Sequence, residues 1–461
     1  MDRLNGLDAS FLYLEKPNVH MHIAGLAIFD PANTPDGEVS FQKVAELLSR
    51  RVHEVPRFRQ RIHFVPLDIG RPVWADDPTF DLSYHLRRAA LPPPGGPREL
   101  ADFVQRVCSA PLDRSKPLWE MYIIEGLEDD HVATLTKVHH SMMDGITGMQ
   151  VAGILLDFDP EPRAVEPDDW HPEPEPSGLK LVASALLEQG SRFVRAAIEA
   201  PVAALRAPQT TLHEIVGVVS SFPNLVRGTL GEPGPFNVAI GPNRRFAMAD
   251  MPVSEAKAVK NALGGTVTDV ILTVVAGALG DLFRARGLET AGVDVRAMVP
   301  TSTRAEGDSS GGNLVSSMFV DLPVGPMAET DRFVMIGEET RRLKTSQVDE
   351  GVSRLLDLVE WTPPTLHRLT AERAGRQRVG NLVVSSIPGP QEPMYFAGAR
   401  LVAYHPVLPI SESTALSIAV TSLSGTMGFG FTADWDAVPD IDLLSQGVVE
   451  SFAELKKAVG V

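Results

Sequence analysis

Apolar positions along this chain alternate between two spacings. His22–Phe29 (HIAGLAIF) is a nearly continuous apolar run, the pattern of a buried strand, whereas Phe41–Val52 spaces its apolar residues three and four apart, as a helix face does. Leu118–Ile124 and His131–His140 read as two strands joined by a turn around Gly126 and Asp129, and helical spacing resumes over Ile146–Leu156. Further along, the same logic predicts helices near Val253–Leu263 and Asp269–Arg286, and strands at Val295–Pro300, Leu314–Leu322 and Asn381–Ser386. Leu416, Ile418 and Val420 alternate with small polar residues, and Met427, Phe429 and Phe431 do so beyond Ser424-Gly425, which predicts a hairpin. No repeat of fixed period is visible, so the expected fold class is mixed α/β.

The pattern breaks clearly at Asp159–Gly178, DPEPRAVEPDDWHPEPEPSG, where prolines recur among acidic residues. Proline removes backbone donors and fixes φ, and the charges resist burial, so an exposed, extended tether is expected. Beyond it Leu179, Val182, Leu186 and Phe193 suggest an apolar helical stripe, in a segment (177–230) that is mildly basic for this chain. That segment reads either as helices packed between two halves or as a contact to a membrane or lipid-droplet surface. The division expected is therefore an N-terminal part over 1–158, a tether with linker helices over 159–235, and a C-terminal part over 236–461.

Composition narrows the function. The 461 residues carry a net charge of −17, which argues against a nucleic-acid backbone binder. One cysteine, Cys108, excludes a disulfide framework or a cysteine-clustered metal site, and in its helical setting it reads as a packed small side chain. The opening MDRLNGLDASFLYLE has no signal-type apolar core, and no stretch approaches a spanning helix, so a cytoplasmic protein is expected.

The densest candidate chemistry is Val138-His139-His140-Ser141-Met142-Met143-Asp144-Gly145. An H-H-x-x-x-D-G match arises by chance in roughly a few per thousand chains of this length. Strand alternation sends His139 and His140 to opposite faces, so only one can face a given cleft. A neutral imidazole there can take a proton from an alcohol and return it to a leaving group. Asp144 and Gly145 mark the turn into the next helix, where the carboxylate caps that helix or pairs with an arginine. A histidine pair merely satisfied within a β–α turn accounts equally well for the motif taken alone. A metal site fits poorly, because neighbouring histidines diverge and no third-ligand spacing accompanies them.

Taken with Pro117-Leu118-Trp119-Glu120, this stretch resembles the active-site signature of the wax ester synthase/diacylglycerol acyltransferase family. The resemblance runs over nearly the whole chain, through Leu7-Asp8-Ala9-Ser10-Phe11-Leu12, Met21-His22-Ile23, Gly241-Pro242-Asn243-Arg244-Arg245-Phe246, Thr268-Asp269-Val270, Pro300–Arg304 with Gly312-Asn313, and Ser386-Ile387-Pro388-Gly389-Pro390. It implies two chloramphenicol-acetyltransferase-like halves with mixed sheets and an active-site channel between them. It also implies a catalytic group of His139, His140, Asp144 and Gly145, with His140 as general base and Asp144 structural. Arg304 is the implied partner of Asp144, against the plainer reading of an exposed loop charge. Thr268, Ser386, Pro388 and Gly389 fall where the family places substrate-binding blocks. At Thr268 and Ser386 relatives often carry asparagine, so any such role here would fall to a hydroxyl.

The implied reaction moves an acyl group from acyl-CoA directly to a lipid hydroxyl, either a diacylglycerol or a fatty alcohol, and requires no cofactor or metal. Three other readings remain open: a serine esterase built on Gly307-Asp308-Ser309-Ser310-Gly311, a lipid-binding homologue without efficient chemistry, and a peptide condensation domain. The first lacks the strand–turn–helix setting that a nucleophile elbow needs. Gly428-Phe429-Gly430-Phe431-Thr432-Ala433 also matches the loose dinucleotide fingerprint, but it falls inside the predicted hairpin, with no helix to receive a phosphate.

Overall fold

The computed structural model describes residues 1–34, 37–142, 155–166, 168–188, 190, 232–302, 315–345, 364–374 and 380–461. Its strands are β1 (Asp2–Arg3), β2 (His22–Asp30), β3 (Gln60–His63), β4 (Val73–Asp76), β5 (Leu86–Ala90), β6 (Trp119–Glu125), β7 (Val132–His139), β8 (Arg244–Pro252), β9 (Asp294–Ser302), β10 (Val315–Pro323), β11 (Leu382–Pro388), β12 (Tyr395–Phe396), β13 (Ala399–Val407), β14 (Leu416–Leu423) and β15 (Thr426–Asp434). The helices are α1 (Gly6–Leu14), α2 (Phe41–Arg51), α3 (Leu82–His85), α4 (Pro97–Ser109), α5 (Val253–Leu263), α6 (Val267–Ala285), α7 (Glu329–Thr345), α8 (Pro364–Ala374) and α9 (Ile441–Val459).

Two six-stranded mixed sheets organise the molecule, ordered β12-β13-β2-β7-β6-β5 and β10-β9-β11-β14-β15-β8, beside a small β1-β4-β3 sheet. Within the first, β2 and β7 run antiparallel with His22 opposite His139, and β6 joins β5 in parallel. Local chemistry accounts for the helix limits. Ser40 caps α2 by accepting from the Lys43 N–H, Pro97 opens α4, and α5 stops at Gly264 with φ +76°. Helix α6 is apolar nearly all round and lies within the core of the second half, packed by α9.

The predicted strands and the 416–431 hairpin appear within a few residues of their expected limits. The division at 236 does not separate the sheets strand for strand, however. Strands β12 and β13 come from the C-terminal stretch yet complete the N-terminal sheet, with Leu401 opposite Phe29 and Val407 opposite Ala24. Glycines make the crossing feasible. A Cβ on Gly428 would sit 2.0 Å from the Tyr404 carbonyl oxygen, and one on Gly430 would sit 1.8 Å from that of Pro406. The glycines of the dinucleotide-like match thus let one backbone lie directly against another.

The acidic proline-rich segment is exposed and irregular, as expected, but it is stapled to the N-terminal half. Arg59 pairs with Asp168 and stacks its guanidinium over Trp170, while Arg61 meets Glu175. The helical stretch over 178–188 that follows corrects the expected stripe. Leu181 and Ala185 are buried against Val65 and Val73, whereas Leu179 and Leu186 are exposed. The buried face runs through Leu181 and Ala185, four residues apart, rather than through the stripe of Leu179, Val182 and Leu186. Phe193 lies outside the described residues, as does most of 177–230. No single helix among the described residues is long and apolar enough to cross a membrane.

Candidate active site

Strand β7 ends at His139, and His140 begins the turn beyond it, its N–H donating to the Met21 carbonyl oxygen at 2.7 Å. The neighbouring histidines have different surroundings. His139 is 1% exposed. Its Nδ1 accepts from the backbone N–H of Ser141 at 3.1 Å and lies 2.7 Å from Ser141 Oγ, which leaves the proton on Nε2. That nitrogen lies 3.6 Å from Glu15 Oε2. His140 is half-buried, and its ring lies flat on Phe11 with centroids 4.0 Å apart and an 18° interplanar angle.

Both partners come from one element. Asn5 caps α1 by accepting from the Asp8 N–H at 2.7 Å, and α1 then presents Phe11 to His140, with Glu15 as its C-cap residue. Glu15 also lies 3.4 Å from His22 Nε2 and takes two donors from Arg114. Burial opposes charge on the Glu15 carboxyl, yet the facing His139 and His22 rings and the charge of Arg114 hold it well below the ordinary carboxylate range. Burial pushes His22 down to about 3, outweighing the pull of Glu15, and lowers His139 as well. At neutral pH the cluster therefore holds an ionised carboxylate among neutral imidazoles. Lys137, also buried, donates to the carbonyls of Val107 and Ala110 at the end of α4.

The position of this cluster sets what it can do. Phe11 packs against Val19, Met21, Ile240, Ile410 and Ala415, an apolar group drawn from both halves, so His140 stands at their junction. A small cavity on the His22 side of the cluster is lined by His20, His22, Cys108, Arg244, Val407 and Thr432, among others. Burial pushes the Cys108 thiol up to about 11, which leaves little thiolate for nucleophilic chemistry. Glu15, His20 and His22 place ligand atoms within 4.8 Å of one another, near enough to hold a metal ion, a group distinct from the diverging 139–140 pair. Arg114 already occupies that carboxylate, and the charges of Lys137 and Arg244 oppose a further cation there.

Other expected residues fall in the C-terminal half. Thr268 is half-buried in the first turn of α6. Its neighbour Asp269 is committed to that turn, accepting from the Thr266 N–H and, at 2.8 Å, from the buried Thr340 hydroxyl. Ser386 and Pro388 lie on β11 opposite Val420 and Ser422 of β14, and the Gly389 N–H donates to the Ser422 carbonyl oxygen at 2.8 Å. Asp144, Gly145, Arg304 and Ser309 lie outside the described residues. Sequence reasoning missed Glu15 and Arg114, and quoted His22 without giving it a role. Phe11 stood only inside a quoted block, and no periodic signal ties an aromatic ring near residue 10 to a histidine at 140.

The chain matches two family models: the wax ester synthase/diacylglycerol acyltransferase catalytic domain over residues 4–271, and the corresponding C-terminal domain over residues 311–456. It is 32% identical to a Mycobacterium tuberculosis protein provisionally named a diacylglycerol O-acyltransferase, across 99% of this chain and 90% of that one. A second protein of that organism with the same provisional name is 31% identical, across 99% and 100%. Among solved structures, the wax ester synthase/diacylglycerol acyltransferase of Marinobacter aquaeolei VT8 superposes with a TM-score of 0.71 at 26% identity, covering all of both chains. The starter condensation domain of rhizomide synthetase shares the fold, with a TM-score of 0.55 at 14% identity over 100% of this chain and 94% of that one.

Proposed function

Because the chain belongs to the wax ester synthase/diacylglycerol acyltransferase family, we propose that it moves a long acyl chain from coenzyme A to the hydroxyl of a lipid alcohol, with His140 as general base. The observation that carries this reading is the split between the two histidines. His139 is sealed among Glu15, Ser141 and His22, while His140 is partly open, at the junction of the halves. The relative in Marinobacter is named for wax ester and diacylglycerol chemistry, and the structure of the rhizomide synthetase domain is described as a complex with C8-CoA. Both names fit an acyl-thioester donor.

The chemistry runs by direct attack. His140 takes the hydroxyl proton as the alcohol oxygen bonds to the thioester carbonyl carbon, giving a tetrahedral oxyanion. Collapse re-forms the carbonyl and breaks the C–S bond, and the imidazolium returns its proton to the departing thiolate. Proton balance is complete without a cofactor or metal. Alignment of two long substrates between apolar walls supplies much of the remaining acceleration and limits hydrolysis. Asp144 is read as a structural residue of the motif turn, paired with Arg304. Thr268 and the Ser386–Gly389 segment are read as the substrate-facing contribution of the second half.

The test is release of free coenzyme A from palmitoyl-CoA, with and without dipalmitoylglycerol or hexadecanol, alongside chromatography of the lipid product. The reading expects release that depends on the acceptor, together with the matching ester. Bound lipid with no release under any acceptor would overturn it.

A further inference from the structure

Helix α1 contributes no residue with acid–base chemistry to the reaction, yet it holds both histidines of the motif. Phe11 covers one face of His140 at a centroid distance of 4.0 Å and is itself seated in the apolar group of Val19, Met21, Ile240, Ile410 and Ala415. Glu15, at the C-cap of the same helix, faces His139 Nε2, and Arg114 holds its carboxylate in place. A third link ties the helix to the other half of the sequence: Ser10 Oγ lies 2.7 Å from Nε2 of the buried His367 on α8, whose ring Tyr13 meets edge-on.

We propose that Phe11 and Glu15 are positioning residues for the transfer reaction, with α1 acting as a clamp that fixes the rotation of the His140 ring through Phe11 and the turn that carries it through Glu15 and His139. An imidazole at a strand end has two soft side-chain torsions, and a base must meet its proton within hydrogen-bond reach. A flat aromatic plate removes one degree of freedom at little cost, because it offers the ring offset or face-on contact and no competing acceptor. Glu15 removes another. Its carboxylate charge, 3.6 Å from His139 Nε2, favours the proton on that nitrogen, so Nδ1 stays available to the Ser141 N–H that shapes the turn. Ser10 and His367 make the clamp answerable to the second half, so that seating of α8 and alignment of the base are coupled.

The inference rests on His140 being the base, and the experiment separates the two claims. Carbethoxylation of His140 by diethyl pyrocarbonate, mapped by mass spectrometry, reports cover over the ring whether or not the ring is catalytic. In the intact enzyme we expect slow modification. Phe11→Leu, which keeps an apolar side chain in the same pocket but has no flat face, should speed modification of His140 several-fold. It should also lower kcat by about 10- to 100-fold, with KM for palmitoyl-CoA unchanged. Phe11→Tyr should restore both values, because the plate is restored. Glu15→Gln should lower kcat without exposing Phe11's face of the ring, so modification stays slow. Phe11→Leu with native kcat and native modification overturns the clamp. If His140→Ala keeps acceptor-dependent transfer while Phe11→Leu still exposes the ring, the general-base reading fails and the contact between plate and ring stands.

Discussion

His22 and His139 sit opposite each other across β2 and β7, with ring centroids 6.0 Å apart, and share one carboxylate. This arrangement makes the fold sensitive to acid. Unfolded histidine titrates near 6.5, and native His22 near 3, so between these values the unfolded chain binds a proton that the native chain refuses. Stability contributed by this group is therefore complete above 6.5 and falls with pH, by up to about 1.4 kcal/mol per unit. Glu15 adds in the same direction below its ordinary value of 4.5, because its native carboxyl is held lower. Thermal unfolding followed from about pH 7 to about pH 4 should show a falling midpoint, and His22→Gln should flatten the curve below 6.5. A slope unaltered by that substitution would contradict the assignment. At this scale the motif itself was legible, since H-H-x-x-x-D-G is a local string. Its partners were not, because Glu15 lies more than a hundred residues away, and only tertiary pairing of β2 with β7 brings them together.

At the scale of elements, Leu155 and Asp157, downstream of the motif, are anchored by α2 and β12. Arg51, the last residue of α2, is wholly buried and donates to both carboxylate oxygens of Asp157 and to the Leu155 carbonyl, all at 2.8 Å. Asp157 in turn exchanges two backbone hydrogen bonds with Tyr395 on β12. Arg51→Ala would leave the buried Asp157 carboxylate with only the Arg163 backbone N–H and a guanidinium contact at 3.9 Å, and denaturant unfolding should show a loss of about 3 kcal/mol. Arg51→Met paired with Asp157→Leu should recover much of it, whereas equal losses in the single and double variants would refute a charge-based cause. Helix α2 itself was readable because Val44 and Leu48 recur at i, i+4. The stripe proposed from Leu179 and Leu186 failed for the complementary reason. The helix docks by the face that carries Leu181 and Ala185, and spacing alone did not tell that face from the neighbouring one that carries Leu179 and Leu186.

Across the whole molecule, β13 is the joint. It pairs with β2 in one sheet and lies against β15 of the other, and His405 Nδ1 comes within 3.2 Å of the Phe429 carbonyl oxygen. Gly430→Ala places a methyl group 1.8 Å from the Pro406 carbonyl oxygen, which only backbone movement can relieve. We expect a stability cost of about 1–3 kcal/mol or more by denaturant titration. Acyl transfer should fall further than stability alone accounts for, because His140, the proposed base, stands where the halves meet. Native stability in Gly430→Ala would show that the crossing is looser than described. Mixed α/β character was legible from strand spacing, and the two-sheet plan followed from the family resemblance. The crossing was not, since glycine in a GxGxxG-like string carries no label saying whether it makes room for a phosphate or for another strand.

The account turns on His140, so the most direct measurement compares acceptor-dependent coenzyme A release by the native enzyme and by His140→Ala, with circular dichroism confirming an unchanged fold. We expect a loss of about 10²–10⁴ in rate with the fold intact. A folded His140→Ala enzyme that still transfers at the native rate would contradict it.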